Sequence, residues 1–216
     1  MKQKCCLNQA INTVKYGVWI DGHFSWVDSE NWICIDKNEE KHRQIFKNNT
    51  DKLSIIFESN VDVRTILQNI TLVNLSKKKR TIKLFISQQI TYEMNDAVTF
   101  FAPSAEAIVR SYKGQYLLLN GLLNKRGIIQ YCTDYNVNDS LNDGQLKIHP
   151  FSYGTSIPVF SLEGTIEATD EVNAYFWLCT GRNENEIIND NLLLQLNLQN
   201  WIYSNDIEKT VQSCSN

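Results

Sequence analysis

The chain has 216 residues, of which 43% are hydrophobic, and a formal net charge of −3 from 21 basic and 24 acidic residues. This hydrophobic fraction supplies a core for one β-rich domain and excludes a wholly disordered chain. The small net charge excludes a strong basic field, so we do not expect nucleic acid as the main partner. No apolar run approaches the ~20 residues that a membrane-spanning helix needs, so no membrane partner is expected either.

The first patterned stretch, residues 16–26, predicts a β-hairpin. Two aromatic-rich arms meet at Asp21 and Gly22. An Asp-Gly pair between two β-forming runs favours a type I′ turn, because that turn needs positive φ at both central residues. The preceding residues, 1–15, are polar and unpatterned, and we expect them to be irregular.

Apolar runs with period-two alternation predict about a dozen strands between residues 16 and 181. The clearest pair lies at 65–75 and 81–90, with the basic run 77–80 at a solvated hairpin tip between them. In the first run, two polar side chains fall on the same side as the apolar ones: Gln68 and Asn74. The length of this hairpin indicates a large antiparallel sheet that packs on a second sheet.

The pattern changes after the last strand-like run, at residue 181. Asn183 can cap a helix, and Glu186 three residues later completes a capping-box pattern. The apolar residues that follow recur every four positions: Ile188, Leu192 and Leu196, with Leu193 beside them. We predict a helix over 182–203 and a tail over 204–216. Strands followed by one helix indicate a mainly β sandwich with a C-terminal helical appendage.

The cysteines and histidines do not form a recognisable metal or disulfide pattern. The six cysteines are scattered, without a C-x-x-C pair or a zinc-like spacing, and the three histidines are far apart in the sequence. The N-terminus has no apolar stretch of signal-peptide length. We therefore expect free thiols, a cytoplasmic location, and neither a metal site nor a cofactor.

The sequence does not predict a catalytic residue. It contains no phosphate-binding glycine loop, no G-x-S-x-G and no H-E-x-x-H. Glycosidase chemistry needs two carboxylates across the scissile bond. The available glutamates lie in ordinary strand or loop contexts, and we interpret them as exposed charges: Glu58, Glu93, Glu106, Glu163 and Glu167.

Tryptophans near the first hairpin are weak candidates for carbohydrate binding. Trp19, Trp26 and Trp32 could stack on sugar rings, but large aromatic side chains also fill sheet cores. The sequence alone leaves both interpretations open.

Motifs spread over residues 16–201 resemble those of a known family. They are GVWIDGHFSW at 17–26, ITLVNLS at 70–76, YKGQYL at 112–117, EGT at 163–165 and AYFWLCTGR at 174–182. Their order resembles the N-terminal β-domain of bacterial and archaeal glucoamylase-type enzymes, glycoside hydrolase family 15.

The resemblance implies a galactose mutarotase-like super-sandwich of two large antiparallel sheets over residues 16–181. In that family the helix after the sandwich leads into an (α/α)6 barrel, which carries both catalytic glutamates. This chain ends before such a barrel could begin, so no catalytic residue carries over. The implied function is a non-catalytic module that packs on the catalytic barrel of an enzyme acting on α-glucans, with the chain expected to be inactive alone.

Two other functions remain open at this point. One is a stand-alone carbohydrate-binding module that binds α-glucan oligosaccharides through Trp19, Trp26, Trp32 or Tyr16. The other is an aldose epimerase-like enzyme, a class that shares the super-sandwich fold and needs a histidine acid or base beside a glutamate. In this sequence the second alternative would pair His23 or His149 with Glu163.

Overall fold

The computed structural model describes residues 14–38, 40, 42–89, 94–136 and 139–213, with side chains described as far as residue 200. Its fold is mainly β: two antiparallel sheets stack face to face, and one helix follows them. This confirms the predicted two-sheet sandwich with a C-terminal helix. The segment 1–15 is predicted to be irregular, but residues 14 and 15 belong to the strand Val14–Ile20, and the rest of the segment lies outside the described residues.

The described residues form fourteen strands and one helix. In chain order they are β1 (Val14–Ile20), β2 (His23–Trp26), β3 (Ile33–Asn38), β4 (Arg43–Asn48), β5 (Leu53–Val61), β6 (Thr65–Asn74), β7 (Arg80–Gln88), β8 (Val98–Ala102), β9 (Ala107–Tyr112), β10 (Gln115–Leu123), β11 (Gln130–Cys132), β12 (Phe151–Tyr153), β13 (Val159–Ile166), β14 (Glu171–Gly181) and α1 (Glu184–Ser213). The smaller sheet has the order β11-β13-β7-β1-β2, and the larger has the order β12-β8-β9-β10-β14-β6-β5-β4-β3.

The predicted hairpin is present as β1 and β2. Ile20 pairs with His23, which leaves a two-residue loop of Asp21 (φ 47°) and Gly22 (φ 100°). Positive φ at both positions is what a type I′ turn requires. The Asp21 carboxylate also accepts a hydrogen bond from the backbone N–H of Thr81, so the loop is fixed to the start of β7.

The main core lies between the two sheets. On β1, Val18 and Ile20 point inward and are 1% exposed each, while Gly17 and Trp19 point outward, as the period-two geometry of a strand requires. The largest buried side chains of this core come from both sheets: Leu53, Ile55, Ile66, Ile70, Leu72, Ile82, Phe160 and Phe176.

The outer face of the smaller sheet is covered by the irregular chain between β11 and β13. Residues 134–136 and 139–145 lie there, and the apolar side chains of Tyr135 and Leu141 pack against Phe85 and Cys132. Gly144 (φ 67°) lies on the ring of Trp19, where an added Cβ would approach the ring to 2.9 Å. Only glycine therefore allows this close approach.

Helix α1 packs on the outer face of the larger sheet. The Asn183 side chain accepts a hydrogen bond from the Glu186 backbone N–H at 3.0 Å, and the Glu186 carboxylate accepts one from the Arg182 backbone N–H at 3.0 Å. This confirms the predicted capping pair. The helix runs to Ser213, beyond the predicted end at residue 203, so the predicted tail begins inside the helix. In the described part of the chain, no helix combines the length and the apolar character that crossing a membrane would need.

Candidate functional site

A cleft of about 610 Å³ opens where β1 of the smaller sheet faces β4, β5 and β6 of the larger sheet. Its floor belongs to the larger sheet, and residues 14–16 and 27–28 form the opposite wall. This position places the cleft on the inner side of the sandwich, at one end of the main core.

Polar side chains occupy inward positions on the floor of this cleft. Cross-strand pairing brings Gln44 of β4 opposite Phe57 of β5, and Ser59 of β5 opposite Gln68 of β6. Paired residues share a face of the sheet, and positions two apart on one strand do so as well. Gln44, Ser59 and Gln68 therefore continue the inward face that Phe57 shares with the apolar core.

A hydrogen-bonded chain joins the two walls of the cleft. The Tyr16 hydroxyl donates to Gln68 Oε1, and Gln68 Nε2 donates to Ser59 Oγ at 3.1 Å. Burial raises the pKa of Tyr16 well above its ordinary value, so this hydroxyl keeps its proton and remains a donor. The chain of bonds therefore fixes the orientation of the Gln68 amide, which is 8% exposed.

The cleft keeps hydrogen-bonding capacity for a ligand. Within the described residues, the Gln44 side chain makes no hydrogen bond. The Ser59 hydroxyl accepts from Gln68 and still has its own proton to donate. At the mouth, Lys15 Nζ lies 2.9 Å from the Asp28 carboxylate, so the two charges there balance.

The structure places the three tryptophans that are candidates for sugar binding in two different parts of the sandwich. Trp32 lies in the main core, 7% exposed, and its Nε1 donates to Ser25 Oγ at 2.9 Å. Trp19 and Trp26 lie on the outer face of the smaller sheet. The indole of Trp19 is covered there by the loop, since its Nε1 donates to the Asn142 carbonyl at 3.0 Å. Stacking on sugar by these residues stays a prediction, and the three do not share one surface.

Three of the five glutamates considered for catalysis form ion pairs with basic side chains. Glu58 pairs with Arg43, and Glu167 pairs with Lys79. Glu163 accepts a hydrogen bond from Ser161 Oγ at 2.7 Å and lies 3.6 Å from Lys83 Nζ. Of the remaining two, Glu106 is exposed and Glu93 lies outside the described residues.

The structure does not assemble the epimerase-like histidine and glutamate pair. His149 forms an isolated β-bridge with Cys132, and Cys132 pairs with Val159 of β13. Val159 lies four residues before Glu163 on that strand, so the position of His149 is at least ~13 Å from that of Glu163. His23 begins β2, three strand spacings from β13, which is about 14 Å. No group of three or more potential metal ligands occurs among the residues that the structure describes.

A second candidate surface lies on the helix. The buried side of α1 includes Ile187 and Leu198, which pack on the larger sheet. Three leucines on α1 are instead exposed by 51%, 57% and 48%: Leu192, Leu193 and Leu196. We name these three residues the leucine face. Leu192 and Leu196 belong to the four-residue repeat that predicts the helix and Leu193 lies beside it, but the sequence pattern does not indicate which residues pack on the sheet.

The sequence contains part of the signal for the cleft. Gln68 is recognisable as a polar residue on the apolar side of its strand, and Ser59 continues the alternation of Leu53, Ile55 and Phe57. Gln44 belongs to a strand too short to assign a face. A cleft between two sheets also depends on which strands face each other, and one strand's alternation does not carry that information.

Comparisons with known proteins establish the fold of this chain but neither its family nor its function. No family model matches the chain, and no curated protein matches it. Among solved structures, a bacterial glucoamylase in complex with acarbose matches with a TM-score of 0.63 and 17% identity, over 87% of this chain and 30% of the glucoamylase. A polysaccharide lyase matches with a TM-score of 0.50 and 9% identity, over 83% of this chain and 27% of the lyase. The chain therefore spans about 30% of the length of the glucoamylase and has a sandwich fold that occurs in carbohydrate-acting enzymes.

Proposed function

We propose that this chain is a non-catalytic β-sandwich module of a glucoamylase-type glycoside hydrolase acting on α-glucans. The observation that carries the proposal is the match to the bacterial glucoamylase, which covers 87% of this chain. The matched part is 30% of that protein, so a module of this size would work beside a larger catalytic part. We propose an (α/α)6 barrel as that part.

The leucine face supplies a surface for this role. Leu192, Leu193 and Leu196 are each about half exposed on a helix that is firmly packed on its other side. Adjacent exposed leucines are typical of surfaces that another protein or domain covers. We propose that the catalytic barrel covers them, and that the module supports the barrel without contributing catalytic groups.

Hydrolysis of maltooligosaccharides by the purified 216-residue chain tests the non-catalytic role. We expect no glucose release above the buffer blank, because Glu58, Glu163 and Glu167 are already held in ion pairs. An active glucoamylase serves as the positive control. If the wild-type chain releases glucose and the Glu163→Gln variant does not, the proposal is contradicted and this chain is itself the enzyme.

A further inference from the structure

We propose that the cleft between β1 and strands β4, β5 and β6 binds an uncharged sugar of one or two rings. This inference does not rest on the proposed function, because a sandwich can hold such a ligand with or without a barrel beside it. It rests on four properties of the cleft: its volume, its polar groups, its aromatic rings and its charge.

The volume suits a small ligand. Ligand pockets in proteins are typically about 300–1,000 Å³, and this cleft measures about 610 Å³. It is bounded by the two sheets rather than by surface loops alone, so its shape is set by strand pairing. A rigid floor of this kind favours binding because little ordering is needed when the ligand enters.

The polar groups of the cleft both donate and accept hydrogen bonds. The Gln44 amide offers both, and Ser59 offers a hydroxyl proton beside it. Gln68 is held in one orientation by Tyr16 and Ser59, and its amide has a second N–H. A sugar hydroxyl also donates and accepts at once, so this set matches a polyhydroxyl ligand better than a purely accepting anion.

An aromatic ring lies beside these polar groups. Phe46 is half-buried and lines the cleft two residues after Gln44 on the same face of β4. Its ring meets that of Phe57 edge-on at 5.9 Å, so the core side fixes its orientation. The C–H face of a sugar ring can pack on such a ring while its hydroxyls reach the amides.

The local charge favours a neutral ligand. The charged pair at the mouth, Lys15 and Asp28, is closed at 2.9 Å, with side chains 41% and 56% exposed. A phosphate or carboxylate on the ligand would have to compete with Asp28 for Lys15. His42, also at the rim, is exposed to water, where a charge is strongly screened.

Ligand-observed NMR with maltose and cellobiose tests the cleft, with glucose 1-phosphate as the charged comparator. We expect saturation transfer from the wild-type chain to the ring protons of at least one disaccharide. The Gln44→Ala variant should weaken binding by about tenfold, the usual effect of losing one good hydrogen bond. It should leave the melting temperature unchanged, because Gln44 makes no side-chain hydrogen bond within the described residues. Gln115→Ala, an exposed glutamine on β10, is the matched control and should bind as the wild type does.

Three results would overturn the proposal. The first is a folded wild-type chain that gives no transfer to either disaccharide at tens of millimolar, a range at which even very weak sites respond. The second is binding that is unchanged in Gln44→Ala and lost in Trp26→Ala, which would move the site to the outer face of the smaller sheet. The third is tighter binding of glucose 1-phosphate. None of these results changes the expected hydrolysis result or the role of the leucine face, so the two proposals fail separately.

Discussion

Two ionisable side chains are buried under α1 and keep their protons. Burial raises the pKa of Tyr175 to about 12. Burial, and to a smaller extent the charge of the nearby Asp190, raises the pKa of Cys179 to about 12. Both side chains belong to β14 and pack in the cluster between the larger sheet and the helix. In the unfolded chain these groups release their protons at ordinary values, near pH 9 to 10.

The folded state should therefore lose stability at alkaline pH. Between about pH 9 and 12 the folded chain holds more protons than the unfolded chain, so the free energy of unfolding falls as the pH rises. Chemical denaturation at intervals from pH 7 to 11 measures this slope. Tyr175→Phe should make the slope shallower. A slope that is the same in Tyr175→Phe and Cys179→Ala as in the wild type would show that these groups do not set it.

Buried polar residues on β6 show what one strand's pattern can and cannot predict. The alternation places both Asn74 and Gln68 on the apolar side. Asn74, 1% exposed, closes the turn after β6 through bonds to the Lys78 and Glu167 carbonyls, whereas Gln68 meets Tyr16 across the sandwich. The sequence shows that both are unusual. The Glu167 carbonyl lies 93 residues from Asn74 and Tyr16 lies 52 residues from Gln68, so only the fold distinguishes a turn residue from a cleft residue.

Among the elements, α1 is joined to the larger sheet by a buried polar side chain. Asn191 is 2% exposed, and its Oδ1 accepts hydrogen bonds from Trp177 Nε1 at 2.8 Å and Asn120 Nδ2 at 3.0 Å. Trp177 is itself fully buried. The helix is thus held at one position by a specific polar contact within an apolar interface.

Replacing Asn191 with alanine should destabilise the protein strongly. The change leaves the buried Trp177 Nε1 without an acceptor, at about 1–3 kcal/mol, and leaves Asn120 Nδ2 with the Ala105 carbonyl alone, so we expect a loss of about 2–4 kcal/mol in the free energy of unfolding. Asn189→Ala, two residues away on the exposed side, is the control and should change stability little, since alanine is the better helix former. Urea denaturation compares the two. Equal stability of both variants would mean that Asn191 does not hold the helix.

Local elements were predicted well, and their faces less well. The Asp21-Gly22 hairpin and the Asn183–Glu186 cap depend on neighbours in the sequence, and both are present. The face of α1 that meets the sheet could not be predicted, because its centre is the polar Asn191 while Leu192 and Leu196 repeat equally well. The sheet provides partners for the Asn191 side chain, and this tertiary contact overrides the apolar periodicity.

The number of strands and the length of the 65–90 hairpin predict the two-sheet architecture. The division of strands between the sheets was not predicted, because pairs such as β7 with β13 join segments far apart in the sequence. The same limit explains why the sequence does not predict the positions of the three tryptophans. Trp19, Trp26 and Trp32 are close in sequence, yet they lie on two different sides of the smaller sheet.

We propose that the leucine face of α1 is a docking surface that the free chain leaves uncovered. Light scattering of the purified chain over a concentration series tests it, beside a variant with Leu192→Gln, Leu193→Gln and Leu196→Gln. We predict that the wild type self-associates above the mass of 25.0 kDa and that the variant stays monomeric with unchanged circular dichroism. A wild-type chain that remains monomeric across the series, or a variant that associates equally, would contradict a docking role for this face.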